Sequence, residues 1–137
     1  MNRKIERAKK FLLRYETSFR ELEQINLEIQ TLREKQRVAG SPKLDGMPKG
    51  NKHIDLSDYI VRLEQLIEEY ERQRQKERQI MREVRRAIEK LCNPVDVKIL
   101  SYRYIDFMTY EEIAAAADLD LDYIYKRHQR ALERLEY

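Results

Sequence analysis

Ile5, Ala8, Leu12, Tyr15, Phe19 and Leu22 recur at alternating steps of three and four residues, with no glycine or proline before Gly40. This a/d spacing places one narrow apolar seam along a helix and excludes the period-two alternation of a strand. The next strict position is Asn26, a polar residue. The seam therefore either passes through Asn26 as a register-setting position or shifts by one residue and continues through Ile25, Ile29 and Leu32. A helix from Asn2 to Val38 would run roughly 55 Å at about 1.5 Å per residue. A helix that long needs a partner.

The break falls at 39–54, where all three glycines and two of the three prolines lie. Asp55 or Ser57 can cap a second helix there. Its seam is Leu56, Tyr59, Leu63, Leu66, Tyr70, Ile80, Val84, Ala87 and Leu91, with Gln73 and Glu77 as a polar layer. Two such helices joined by a loop predict a long, coiled-coil-like antiparallel hairpin over 1–93. The same stripes can also pair between chains. With the helix ends level, Asn26 faces roughly Ile67 rather than the Gln73–Glu77 layer. In the loop, Asp45, Gly46, Met47 and Pro48 either shape the hairpin end or touch a partner.

Composition narrows the function. The chain has 137 residues, 39% of them charged, yet its net charge is only +3. No apolar run approaches the roughly 18 residues of a membrane span. The charged segment from Arg3 to Lys10 is unlike a signal peptide, which predicts a cytoplasmic protein without membrane contact. A single cysteine, Cys92, fits a reducing compartment and reads as an apolar filler beside Leu91. His53 and His128 have no companions at metal-ligand spacing, so no metal is expected. No nucleophile–base pair or glycine-rich phosphate loop is present either, so neither catalysis nor a cofactor is expected.

Asn93-Pro94 ends the second helix and opens a third, running to about Asp106 with Val97, Leu100, Tyr104 and Ile105 inward. Thr109-Tyr110-Glu111-Glu112 is a capping box for a short helix through Ala117. Asp118 to Asp120 then turn the chain into a last helix ending near Leu135, with Asp120 as its cap. Ile113, Ala117, Leu119 and Ile124 have the spacing of two short helices packed across a tight turn, and Ala114 lets them approach. That is helix-turn-helix geometry.

On the last helix Ile124, Ala131, Leu132 and Leu135 point inward, with His128 at the boundary. Leu121, Asp122, Tyr125, Lys126 and Gln129 point outward. Lys126 and Gln129 are the expected base readers; Arg127 and Arg130 are the expected phosphate clamps, with Thr109 and Arg103 as further contacts. Asp122 either caps the helix or accepts a hydrogen bond from cytosine. The charge is an obstacle, because residues 94–137 hold six basic and nine acidic groups. The N-terminal cluster Arg3, Lys4, Arg7, Lys9 and Lys10 is either a solvated face or a backbone contact.

The run from Leu100 to Leu135, with its T-Y-E-E-I-A box, Y-I-Y-K-R-H segment and closing R-A-L-E-R-L, resembles the sigma-factor region 4 class of helix-turn-helix domains. The loop S-P-K-L-D-G-M-P-K-G (Ser41–Gly50), followed by I-D-L-S-D-Y-I, resembles a family of small phage and prophage proteins of Gram-positive bacteria, related in style to phage late transcription regulators. Asp118 stands where the class carries glycine, and Asp120 where it carries serine. The resemblance implies an all-α protein in which the hairpin precedes a sigma-like helix-turn-helix at 94–137. It also implies a sequence-specific regulator of double-stranded DNA, with the hairpin supplying a homodimer contact or a contact to RNA polymerase. Two alternatives remain: a phage DNA-packaging subunit of the small-terminase kind, and a sigma-like module that binds RNA polymerase rather than DNA.

Overall fold

A computed structural model describes residues 2–39 and 55–137. The Ser41–Gly50 loop and His53 lie outside the described residues. Within them the chain is all-helical and contains no strand: α1 (Arg3–Ala39), α2 (Leu56–Glu89), α3 (Pro94–Tyr104), α4 (Tyr110–Ala117) and α5 (Leu121–Arg134). The start signals are local. Asn2 Oδ1 accepts from the Lys4 amide at 3.0 Å and opens α1. Asp55 Oδ1 accepts from the Ser57 amide at 3.3 Å and opens α2, so Asp55 rather than Ser57 is the cap. Asn93 Oδ1 accepts from the Val95 amide at 2.9 Å, with Pro94 at the first helical position of α3. Each bond satisfies a donor that the first turn leaves without a partner.

The chain divides into two compact units, one of residues 1–19 with 76–137 and the other of residues 20–75. The first unit joins the start of α1 and the end of α2 to α3, α4 and α5. Its main core buries Ala8, Leu12 and Tyr15 of α1 with Ile80, Val84, Ala87 and Ile88 of α2, and these with Leu100, Tyr104, Ala131, Leu132 and Leu135. A second cluster, Ile99, Ile113 and Ile124, joins α3, α4 and α5. Ile99 lay outside the inward face expected for α3, whereas Val97 and Ile105 are only partly buried.

Phe107, between α3 and α4, adopts a left-handed backbone with φ 57°. Such a conformation disfavours a bulky residue. Here its ring packs at 5.7 Å from Tyr15 and 5.2 Å from Phe19, and the contact with these α1 aromatics holds it. Tyr15 itself is buried and hydrogen-bonds Glu77. Burial first, and then the neighbouring carboxylate, push its hydroxyl up to about 12.

In the second unit Ile25, Ile29 and Leu66 are buried, flanked by Leu32, Leu63 and Tyr70. The seam of α1 has therefore shifted by one residue. Asn26 is exposed and sets no register, because Ile25 and Ile29 occupy the facing positions and leave Asn26 on the solvent side. Gln73 Nε2 donates to Glu21 Oε2 at 2.9 Å, so the polar layer of α2 meets a partner of its own kind. Cys92 also differs from expectation. Its thiol is free and exposed, since α2 has ended at Glu89 and the chain is turning toward the Asn93 cap.

Candidate nucleic-acid interface

The α4–turn–α5 segment is built from local signals. Thr109 Oγ1 accepts from the Glu112 amide at 3.1 Å and donates to Glu112 Oε1 at 3.1 Å, which starts α4. At the other end Asp118 is left-handed, with φ 55° and ψ 49°. The Leu119 amide donates to Ala114 O at 3.0 Å and the Asp118 amide to Ala115 O at 3.4 Å. These two bonds form a Schellman closure, and Leu119 and Ala114 pack on the same Ile99–Ile113–Ile124 cluster, supplying its usual hydrophobic contact. Asp118 tolerates the left-handed backbone better than most residues other than glycine.

Asp120 occupies the cap position of α5, and its backbone carbonyl accepts from the Ile124 amide at 3.0 Å, but its side chain makes no capping bond. The expected side-chain cap is thus absent, and the Asp120 and Asp122 carboxylates stand exposed at the start of α5. Both still complement the positive end of the helix dipole.

The inward face of α5 is Ile124, Ala131, Leu132 and Leu135, all buried. His128 belongs to it as well and is not a boundary residue, being only 1% exposed. The Tyr104 hydroxyl lies 2.8 Å from His128 Nε2, the Tyr104 ring stacks at 5.7 Å, and Tyr110 meets the imidazole edge-on at 5.3 Å. Burial, reinforced by Lys9 and Arg103, pulls the imidazole down to about 4, so the ring is neutral at physiological pH. Burial also raises the Tyr104 hydroxyl above its ordinary value. With a neutral ring the hydroxyl can donate to Nε2, and the pair is satisfied without charge.

The outward face carries Asp122, Lys126, Gln129 and Arg130, all exposed, and Tyr125, 40% exposed. Leu121 is half-buried. Tyr125 packs against Tyr110 at 4.8 Å, and Tyr110 in turn lies under the Arg103 guanidinium at 4.3 Å. Arg103 Nη1 also donates to Met108 O at 3.0 Å. Arg103, expected on phosphate, is therefore held by the α3–α4 loop and an aromatic ring. Thr109 is exposed, but its one hydroxyl proton already goes to Glu112.

Arg127 is placed differently from an outward phosphate clamp. Its Nε donates to Asp96 Oδ1 at 2.8 Å, and Nη2 lies 2.6 Å from the same oxygen without the alignment of a hydrogen bond. The two side chains are 11% and 1% exposed. Asp96 would be costly to bury without this cation, so the pair fastens α3 to α5 rather than reaching outward.

Of the residues that meet here, Asp96 carries no role in the sequence analysis, and Tyr104 and Tyr110 are placed there only as an inward residue of α3 and a member of the capping box. Asp96 sits in the first turn of α3, where an acidic residue is explained by the dipole alone, and its partner lies 31 residues away. The only signal for Tyr104 and His128 is their place on or beside the inward faces of α3 and α5. Among the described residues no group of acidic, histidine and cysteine side chains is arranged to hold a metal ion, and no helix is long and apolar enough to cross a membrane. Known family models, curated proteins and solved structures, compared with this chain, give no match.

Proposed function

We propose that the chain is a sequence-specific, DNA-binding transcription regulator of phage or prophage type. In this reading α4 and α5 are a sigma region 4-like helix-turn-helix, and α5 enters the major groove of double-stranded DNA. The observation that carries it is the division of α5. One face, Ile124, His128, Ala131 and Leu132, is buried, while Asp122, Lys126, Gln129 and Arg130 stand exposed opposite it. Lys126 and Gln129 carry the donors that read guanine and adenine edges, and Arg130 suits a phosphate. Tyr125 adds an apolar contact for a thymine methyl. Leu121 and Thr109 border the groove, and Arg127 acts indirectly by holding α5 to Asp96.

The two long helices serve as an antiparallel hairpin for a homodimer or for contact with RNA polymerase. Six basic against nine acidic groups in 94–137 leave one copy a weak binder. Two linked copies multiply affinity through effective concentration. The free thiol of Cys92 suits the reducing cytoplasm.

One observation favours a second reading. Asp118, Asp120 and Asp122 are all exposed around the start of α5, where a groove-binding helix first meets bases, and carboxylates there repel phosphate. The alternative is a sigma-like module that binds RNA polymerase, or a packaging subunit of the small-terminase kind, with this acidic edge facing a basic protein surface. Fluorescence anisotropy on duplexes selected from the source genome separates the two. A salt-dependent, sequence-selective complex that loses its selectivity in Lys126→Ala plus Arg130→Ala supports the regulator. Absence of any complex at low salt, with polymerase captured instead, sinks it. Mass in solution distinguishes a dimer from a packaging ring.

A further inference from the structure

A duplex must have its phosphates neutralised, and in the first compact unit the positive charge does not lie on α3–α5. Residues 76–93 of the same unit carry six basic and three acidic groups, and residues 2–19 six basic and two acidic, in contrast to the acidic excess of 94–137. Three contacts fix where that charge stands. Asn2 Nδ2 donates to Glu133 Oε1 at 3.2 Å, joining the first turn of α1 to the outward side of α5 near its end. The Phe11 and Tyr137 rings stack at 4.5 Å and 16°. Ala8 and Leu12 share a core with Ala131, Leu132 and Leu135.

The start of α1 is thus held against the C-terminal end of α5. Lys4, Arg7 and Phe11 recur at steps of three and four, so they share the α1 face on which Tyr137 stacks, and Arg3 borders it one turn before Arg7. Arg3, Lys4 and Arg7 are exposed, and none of the ion pairs among the described residues includes them. By contrast Arg14, farther along the same face, is taken up by Glu83 at 3.0 Å. Arg130 and Arg134 stand exposed on the neighbouring end of α5.

We infer that Arg3, Lys4 and Arg7 extend the α5 surface into a phosphate-contacting flank, so that the first turns of α1 grip the duplex backbone beside the site that α5 reads. The inference rests on the DNA-binding reading above and assigns to α1 the electrostatic work that α3–α5 lack. Side chains that meet only phosphates supply affinity without sequence information. Acidic neighbours such as Glu133 limit the patch but do not reverse it, since three cations on α1 and two on α5 surround it.

The test uses the full chain with three charges neutralised, R3Q, K4Q and R7Q, beside a control with R33Q, K35Q and R72Q in the second unit. Affinity for a selected duplex and for a scrambled one is followed across salt concentrations. Loss of the α1 charges makes the slope of log affinity against log salt shallower by roughly two to three, about 0.9 per phosphate contact. It weakens both duplexes by the same factor and leaves their ratio intact, while the control keeps the original slope. If the original protein binds selectively but the α1 variant retains its slope, or the control loses as much, this inference is overturned and the regulator reading stands. If the original protein binds no duplex, both fall.

Discussion

The two compact units use the same long helices to different effect. In the unit of residues 20–75 two helices face each other with nothing described above or below them, and the buried set is Ile25, Ile29 and Leu66. Leu27, Ile60, Val61 and Ile67 remain exposed, and an open groove of about 290 Å³ runs past Leu27, Leu32 and Leu66. In the other unit the same helices meet α3 and α5, and residues from four helices close over one core. A pair of helices can bury only the stripe between them, and a third layer is what converts a stripe into an interior. The polar groups follow suit. The ion pair Arg62–Glu28 lies 3.7 Å apart at the surface of the thin unit, whereas Asp96–Arg127 is sealed inside the layered one.

Breaking that buried pair is the strongest challenge to the contrast. Asp96→Ala leaves the Arg127 guanidinium buried without its anion, and stability should fall by roughly 3–5 kcal/mol in urea unfolding. Replacing both together, Asp96→Leu with Arg127→Met, should recover most of the loss. Arg62→Ala should change stability by less than about 1 kcal/mol, as for most exposed pairs. Equal losses for Asp96→Ala and Arg62→Ala would erase the distinction between the units.

Cavity-forming changes sharpen it further. Leu132→Ala empties a site walled by several helices that cannot collapse, and about 3–4 kcal/mol should be lost. Leu66→Ala lies beside an open groove into which neighbours and water can settle, so its cost should fall nearer about 2 kcal/mol. A larger loss at Leu66 than at Leu132 would show that the thin unit is the better packed of the two.

His128 supplies a pH signature confined to the layered unit. Its pKa is lowered from 6.5 to about 4 in the folded protein. Above the unfolded value the ring is neutral in both states and contributes no pH dependence. As the pH falls through 6.5 toward 4, the unfolded chain takes up a proton that the folded one refuses, so stability declines. The decline should reach about 2 kcal/mol between neutral pH and pH 5. His128→Gln keeps a polar neighbour for the Tyr104 hydroxyl but cannot titrate. The difference between its stability–pH curve and that of the parent isolates the histidine from the carboxylates, and identical curves would show that the ring protonates freely in the fold.

What the sequence made legible divides along the same line. Asn93 and Thr109 were readable because a cap and its amide lie within three residues of each other. The seam of α1 was readable as a stripe, but its passage around Asn26 was left open, because either register keeps a helix and only the facing residues of α2 decide. Arg127 and His128 were misplaced for one reason: helical spacing gives the angle of a side chain, whereas Asp96 and Tyr104, which draw the two inward, belong to another helix. For the proposed DNA-reading face, spacing was sufficient to locate Lys126, Gln129 and Arg130 on the exposed side. It did not foresee that the Asp120 side chain makes no capping bond and leaves its carboxylate exposed at the start of α5.

The smallest expected effect tests that acidic edge. Asp118 holds a left-handed turn that glycine would adopt without steric cost, yet glycine also gives the unfolded chain more freedom. Relief of the turn and loss of entropy are of similar size, so Asp118→Gly should leave stability within about 0.5 kcal/mol. Asp118→Val, branched at Cβ and forced to φ 55°, should lose about 1–2 kcal/mol. The neutral glycine variant then becomes a clean electrostatic probe. It removes one carboxylate beside the exposed face of α5 while the Schellman bonds, which are made by backbone atoms, persist. Duplex binding at low salt should rise by a small factor, because one repulsion of phosphate has gone, and binding to a basic protein partner should fall. A drop in duplex affinity would place Asp118 among the groups that contact DNA productively, and would reverse the sign assigned to the whole edge.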